Sequence, residues 1–132
     1  MRLPGFQPSR SGAIRTQHQA YVVGVPADVS ASMYHQAKQA LASIDQSLGK
    51  LGLAKQNIAL VVVYLADMAQ KAEMNRAWDD WASAENPPVR ACVGVALDGG
   101  DGGHGDDRRR LAAALIRSRR EPRASPGRSC PR

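Results

Sequence analysis

Residues 86–97, Asn-Pro-Pro-Val-Arg-Ala-Cys-Val-Gly-Val-Ala-Leu, decide the fold of this chain. Pro87 and Pro88 block a helix and favour extended backbone at Asn86. After the prolines the pattern has a period of two, which predicts a β-strand. One face of this strand would carry the odd-numbered residues, Val89, Ala91, Val93, Val95 and Leu97, and the other would carry Arg90, Cys92, Gly94 and Ala96.

Arg90 is a permanent charge in an otherwise apolar strand, on the same predicted face as Cys92. A half-buried guanidinium needs an anion, and its planar fork suits a carboxylate held by two hydrogen bonds. The residues alone leave two interpretations open. Arg90 is either an anion-binding group, or an edge-strand arginine that points to solvent or pairs with a structural Asp or Glu.

The basic charge of the chain belongs mostly to its C-terminal part. Of the net charge of +6, residues 98–132 contribute +4 and residues 1–97 contribute +2. This distribution argues against a nucleic-acid-binding domain in the first 97 residues. The length of 132 residues and a hydrophobic content of 43% favour one domain with a packed core.

The sequence also predicts the cellular compartment in which the protein is located. No apolar run reaches the roughly 20 residues of a membrane helix, and the N-terminus lacks the apolar core of a signal peptide. Two cysteines, Cys92 and Cys130, do not make a disulfide framework. We therefore expect a cytoplasmic protein with reduced thiols and no membrane partner.

Residues 13–97 alternate between strand and helix patterns. Strands are predicted at about 13–16, 20–23, 58–66 and after Pro88. The first helix is predicted from a cap at Ser30 or Ser32 to about Leu51, with Gly52 as its stop, and the second at about 69–82 after a cap at Asp67. The stripe formed by Met74, Ala77, Trp78 and Trp81 is expected to be core, not a ligand platform. The order β-β-α-β-α-β predicts an α/β (α+β) fold, a two-layer sandwich of one mixed sheet and two helices.

The two ends of the chain differ from this domain. Residues 1–12, with two prolines and two glycines, are expected to be a loose lead-in. Residues 98–107 hold five glycines and four aspartates, so 98–132 is expected to be an irregular Gly/Arg-rich tail with at most one helix at about 111–116. The amino-acid composition changes abruptly after Leu97, and two explanations are open. Either the reading frame is shifted or the C-terminus replaced, or the segment is an ordinary disordered basic tail.

Several motifs in residues 20–97 resemble one family. Pro-Pro-Val-Arg-Ala-Cys-Val at 87–93 is the most specific, and the others lie at 24–28, 36–41, 44–45, 63–68 and 74–78. Their order and spacing are similar to the Rid family of reactive-intermediate deaminases, also called the YjgF family and labelled L-PSP endoribonucleases. The resemblance implies a chorismate-mutase-like sandwich that forms a homotrimer with clefts between subunits.

The resemblance also implies the chemistry. The arginine that matches Arg90 binds the carboxylate of a 2-imino or 2-enamino acid, which water hydrolyses to a 2-oxo acid and ammonia. The backbone at Cys92 holds the attacking water, and Gly24 and Asn75 are candidate substrate-binding residues. No metal or cofactor is expected, because His18, His35 and His104 have no ligand spacing.

Three departures from the family pattern weaken this expectation. Val25 follows Gly24 directly, where the family usually has a glutamine between, and Gly94 stands where glutamate is common. Residues 98–132 do not resemble the family's closing strand, which carries a glutamate implicated in activating the water. We therefore expect the closing strand to be missing, with low stability and impaired activity.

Three functions follow. The first is an imine or enamine deaminase, and the second is a catalytically weak member that binds small carboxylates or acts as an interaction module. The third, RNA binding or endoribonuclease activity, is disfavoured because residues 1–97 hold no His pair or acidic cluster and no basic stripe with interleaved aromatic residues. An arginine-rich tail could bind phosphates non-specifically, but a solvated tail is commoner.

Overall fold

Two helices pack on one face of a mixed sheet. The computed structural model describes residues 1–97, 111–112 and 116–119. Within these residues the sheet has seven strands. The elements in chain order are β1 (Arg2–Pro4), β2 (Ser11–Arg15), β3 (Gln19–Val22), α1 (Met33–Lys50), β4 (Ile58–Leu65), α2 (Lys71–Trp81), β5 (Val89–Gly94), β6 (Leu111–Ala112) and β7 (Ile116–Arg119).

Helix α1 has defined caps at both ends. The Ser32 hydroxyl accepts a hydrogen bond from the backbone N–H of His35, which satisfies one of the free donors of the first turn. At the other end, Gly52 has a φ of 70°, which only glycine adopts without strain. The Arg15 guanidinium donates to the carbonyl of Leu51 and supplies a cation at the C-terminus of the helix. The predicted start at Ser32 and stop at Gly52 are confirmed.

Side chains hold the loop that leads into α1. The Asp28 carboxylate accepts from the hydroxyl and the N–H of Ser30, and these bonds lower the pKa of Asp28 below its ordinary value. Gln36 is fully buried, and its amide donates to the carbonyls of Val29 and Ala31. A buried amide with two bonds to one loop fixes the position of that loop on the helix.

The strand order combines two helical crossovers, α1 between β3 and β4 and α2 between β4 and β5, with several antiparallel pairs. The sheet runs β1-β2-β3-β7-β4-β5, and β6 pairs with β4. Strands β4 and β5 are parallel, and α2 supplies the crossover that a parallel pair requires. Before α2, Asp67 accepts a hydrogen bond from the N–H of Ala69 and caps the turn Met68–Gln70. The predicted two-layer sandwich is confirmed.

The two faces of the sheet differ in burial. The helix-facing side chains form the core with one stripe of α1 and one of α2, and its largest buried members are Ile44, Leu48, Leu51, Leu65, Met74, Val22 and Val61. The opposite face of β5 is open, with Val89 69% and Val93 42% exposed. On this face Val89 lies opposite Leu60, and Val93 lies opposite Tyr64.

The N-terminal segment is not a loose lead-in throughout. Residues Arg2–Pro4 form β1, which pairs antiparallel with β2, and the Met1 amino group donates to the carbonyl of Arg15. The turn between these two strands is formed by residues 5–10, which include Gly5 and Pro8. They indicated a turn correctly, but they gave no sign of the strand before it.

The expectation of a missing closing strand is wrong. Strand β7 (Ile116–Arg119) lies between β3 and β4 and pairs antiparallel with both. The helix allowed at 111–116 does not form at residues 111, 112 and 116, which belong to strands. Ile-Arg-Ser-Arg has little apolar pattern, so its strand state comes from the backbone groups of two distant neighbours. The rest of 98–132 lies outside the described residues.

Candidate functional site

Strand β5 begins directly after Pro88. The side-chain amide of Asn86 donates to the carbonyl of Gln56, which ties the approach to β5 to the turn before β4. Arg90 and Cys92 are half-buried, whereas Val89 and Ala91 are exposed. The predicted alternation of faces is therefore confirmed, and Arg90 and Cys92 lie on the side that the helices cover.

Helix α2 brings two apolar side chains against Arg90. The Arg90 Cζ lies over the Trp78 ring, 5.1 Å from its centroid, and Nη1 lies 3.7 Å from the Met74 sulfur. Met74 and Trp78 are four residues apart and thus on one side of the helix. They are 2% and 8% exposed, so the predicted core stripe is confirmed. The helical spacing of this stripe gave no sign of its contact with Arg90.

Arg90 has no carboxylate partner within the part of the chain that the structure describes. The ion pair found there joins Arg76 to Glu73, at 2.8 Å, on the exposed side of α2. A thioether is a weak acceptor, and a ring face attracts the charge without accepting an N–H in a strong hydrogen bond. The interpretation of Arg90 as half of a structural ion pair therefore fails for the described residues.

Backbone groups at Cys92 point away from the sheet. The N–H of Val95 donates to the carbonyl of Leu65, so the odd-numbered residues of β5 direct their backbone groups toward β4. With a period of two, Arg90, Cys92 and Gly94 direct theirs the other way. Because β5 is the last strand on that side among the described residues, the N–H and C=O of Cys92 lie at an open edge.

The Cys92 side chain has a different environment from its backbone. Its thiol is free and half-buried, and it packs against the core opposite Val63. The side chain thus contributes mainly to packing, while the polar groups of the residue face the edge of the sheet. Cys130 lies outside the described residues.

Asn75 contains a buried acceptor without a donor. Its Oδ1 is shielded from solvent and has no hydrogen-bond partner among the described residues. An unsatisfied buried polar atom costs about 1–3 kcal/mol, which makes it a strong acceptor for an N–H or O–H that comes close. Asn75 follows Met74 and is three residues before Trp78, so it lies on the same region of α2 as the Arg90 contacts.

Gly24 is buried against α1. A Cβ at this position would lie 2.6 Å from the Ala40 carbonyl oxygen and 2.6 Å from Cγ1 of Ile44. Close packing of strand end and helix therefore explains why a glycine stands here. Its role in substrate binding stays a prediction.

Gly94 lies under Met68. A Cβ on Gly94 would be 2.7 Å from Cγ and 3.3 Å from the sulfur of Met68, so the thioether occupies the space of a side chain at this position. The departure from the family pattern at Gly94 is thus accompanied by an apolar side chain from the turn before α2. This pairing could not be read from the sequence, because it joins residues from two separate elements.

The described residues form neither a cluster suited to a metal ion nor a membrane-spanning helix. Among residues 1–97 and the two short strands, no three His, Cys, Asp or Glu side chains converge on a position for a metal ion. His35 shares a hydrogen bond with Ser32, and His104 lies outside the described residues. In the same part of the chain, none of the helices has the length and apolar character needed to span a bilayer.

Several known proteins are similar to this chain in sequence or in fold. A RutC family protein of Haemophilus ducreyi is 46% identical over 79 residues, 59% of this chain and 68% of the relative. RutC family protein YoaB of Escherichia coli is 40% identical over 77 residues, 58% of this chain and 68% of its own length. The crystal structure of a YjgF family member from Neisseria meningitidis has a TM-score of 0.78 and 28% identity, and the match covers 92% of this chain and 96% of that one.

A family model also covers the residues that build the site. The model described as Endoribonuclease L-PSP matches residues 7–98, which include β2 to β5 and both helices. Since this match spans well over half of the chain, the protein belongs to the endoribonuclease L-PSP family, which is also called the YjgF or Rid family.

Proposed function

We propose that this protein hydrolyses 2-imino or 2-enamino acids to 2-oxo acids and ammonia. In the reaction the oxygen of one water adds to the imine carbon, the C–N bond breaks, and the nitrogen leaves as ammonia. The product keeps the carboxylate and has a C=O in place of the C=N. This chemistry requires an anchor for the carboxylate, a positioned water and an acceptor for the N–H, but no change of oxidation state.

The observation that carries the proposal is the environment of the Arg90 guanidinium. It is a half-buried guanidinium with a ring face and a thioether as neighbours, and with no carboxylate partner among the described residues. A small carboxylate would make the two parallel N–H···O bonds that the described residues do not supply there. No ion pair within this part of the chain has to be broken for it to bind.

Two further groups support the hydrolytic step. The outward N–H and C=O of Cys92 offer a donor and an acceptor for the attacking water, so the proposed role belongs to the backbone and not to the thiol. The unpartnered Oδ1 of Asn75 suits the N–H of an imine or of its protonated form. Gly24 remains a candidate binding residue in this proposal.

We also propose that the working form is a homotrimer, with the site completed at a cleft between subunits. The open face of β4 and β5 supports this, because it presents Val89, Val93, Leu60, Val62 and Tyr64 without a helix among the described residues to cover them. Exposed apolar surface of this kind is typical of association surfaces. A cytoplasmic location is part of the proposal, since free thiols such as that of Cys92 stay reduced there.

A catalytically weak, carboxylate-binding member is the second candidate. Neither β6 nor β7 contains an acidic residue, and Gly94 stands where the family commonly has glutamate. In this second candidate Arg90 would anchor a carboxylate, while β5, β6 and β7 supply no acid to activate the water. RNA cleavage is not proposed, because among the described residues no three His, Cys, Asp or Glu side chains converge in one site.

Turnover of an imine generated in solution tests the proposal. An amino-acid oxidase supplies 2-iminobutanoate, and formation of the 2-oxo acid is followed above the uncatalysed rate. We expect Arg90→Ala to abolish the catalysed part and Arg90→Lys to restore little, because an ammonium cannot make the forked contact. Cys92→Ser should lose less activity, since the backbone remains.

The control is Arg76→Ala, which removes an arginine from the exposed side of α2, where its side chain is 62% exposed. It should keep the parent rate. Equal turnover in Arg90→Ala and the parent would overturn the role of Arg90. If the parent shows no turnover but binds 2-oxobutanoate in a manner that depends on Arg90, the binding-module function replaces the deaminase.

A further inference from the structure

We infer that Trp78 is a positioning residue that holds the Arg90 guanidinium in place for a carboxylate; this inference rests on the proposed function. Its basis is the position of Arg90 Cζ over the Trp78 ring, 5.1 Å from the ring centroid. The Met74 sulfur contacts the same guanidinium, 3.7 Å from Nη1. The two α2 side chains thus give a half-buried cation a defined location without giving it a counter-ion.

The location is fixed by the fold on both sides. Arg90 lies opposite Val61 of β4, which is fully buried, so the base of its side chain is held by the pairing of β5 with a buried strand. Trp78 and Met74 are almost completely buried on α2, so the surface that the guanidinium lies on cannot rearrange freely. A long, flexible arginine side chain therefore loses much of its freedom before any ligand binds.

Stacking and forked binding use different parts of the guanidinium. A ring face attracts the charge through its quadrupole, while the N–H groups of the fork lie in the guanidinium plane and remain directed to its edge. A carboxylate could therefore bind the edge while the indole stays on the face. A lysine could not use both interactions, because its ammonium has no plane to divide between them.

Trp81 offers a matched control within the same stripe. It is three residues along α2, its ring centroid is 5.3 Å from that of Trp78, and its indole N–H donates to Asp45 at 2.8 Å. The cation near its ring is Lys55, at 5.7 Å, and not Arg90. Loss of Trp81 should thus lower stability without changing the environment of Arg90 directly.

The test compares Trp78→Leu, Trp78→Phe and Trp81→Leu with the parent by calorimetric titration of 2-oxobutanoate. Leucine is apolar but smaller and has no ring face, whereas phenylalanine keeps a weaker one. We expect Trp78→Leu to raise Kd about tenfold, Trp78→Phe about threefold or less, and Trp81→Leu less than twofold. In turnover, KM should rise in parallel with Kd and kcat should change less, because the carboxylate contact is present before and during the reaction.

A second measurement does not depend on a ligand. In NMR spectra of the parent, the side-chain protons of Arg90 should show an upfield ring-current shift, which Trp78→Leu removes and Trp81→Leu keeps. Thermal unfolding of each variant reports whether the fold survives.

The outcomes separate the inference from the function that it rests on. If Arg90→Ala loses binding but Trp78→Leu and Trp78→Phe bind as the parent does, the positioning role is overturned and the proposed function stands. Equal losses in Trp78→Leu and Trp81→Leu would also overturn it, since the effect would then be one of stability. If Arg90→Ala binds as tightly as the parent, both the function and the inference fail.

Discussion

Gly24 and Ala40 approach so closely that no side chain fits between them. A Cβ at Gly24 would stand 2.6 Å from the Ala40 carbonyl oxygen, a backbone atom in the middle of α1 that cannot move without the helix. Gly49 in the last turn of the same helix is the opposite case, since a Cβ there would meet nothing within 4 Å. Close packing against α1 therefore requires a glycine at position 24, whereas no neighbouring atom requires one at position 49.

The first prediction follows from this difference. Gly24→Ala should lower the free energy of unfolding by about 2 kcal/mol or more, because an extra methyl in a packed site forces the backbone to shift. Gly49→Ala should raise it by about 0.5–1 kcal/mol, since alanine loses less entropy in a helix. Urea denaturation measures both. A stable Gly24→Ala variant would show that the strand end and α1 are not in contact.

The second prediction concerns the closing strand. The backbone of Ser118 pairs with Ala20 on one side and with Ile58 on the other, which places β7 inside the sheet. Ser118→Pro removes the N–H and adds a ring in a central strand, so it should cost about 3 kcal/mol or more. The change in the thermal midpoint reports this loss.

The control for that substitution is Ser118→Thr, which keeps the N–H and has a higher β propensity. It should leave the thermal midpoint close to that of the parent. Hydrogen exchange adds an independent measure, because the amides of β7 should be protected in the parent. A proline variant as stable as the threonine variant would mean that β7 does not occupy the position between β3 and β4.

Local pattern predicted the parts of the fold that local physics controls. The cap at Ser32, the stop at Gly52 and the alternation around Arg90 were all visible, because each depends on residues within a few positions. Strands β1 and β7 were missed for the opposite reason. Their pairing partners are distant in the sequence or separated by a turn. In addition, two of the four residues of β7 are arginines, so its sequence lacks the apolar alternation that predicts a strand.

Part of the geometry around Arg90 could also be predicted, whereas the functional roles of its residues stay predictions. The charge and the motif singled out Arg90, and the strand period placed Cys92 beside it. The contact with Trp78 was hidden, because a tryptophan at core spacing is usually only core, and here it is both core and neighbour of the cation. The relation of Met68 to Gly94 was hidden as well, since nothing in either local sequence points to the other.

The last prediction tests that hidden pair by a double-mutant cycle. Gly94→Ala should cost about 1 kcal/mol in the parent, because its Cβ would lie 2.7 Å from Cγ of Met68 and the thioether has to move. Met68 is 42% exposed, so the side chain has room to yield, which keeps the cost small. In a Met68→Ala background the same substitution should be neutral or stabilising, since glycine weakens a strand interior. The coupling between the two changes should be about 1 kcal/mol in urea denaturation. Additive effects would mean that the space over Gly94 is not filled by Met68, and that the strand could accept the side chain that its relatives commonly have there.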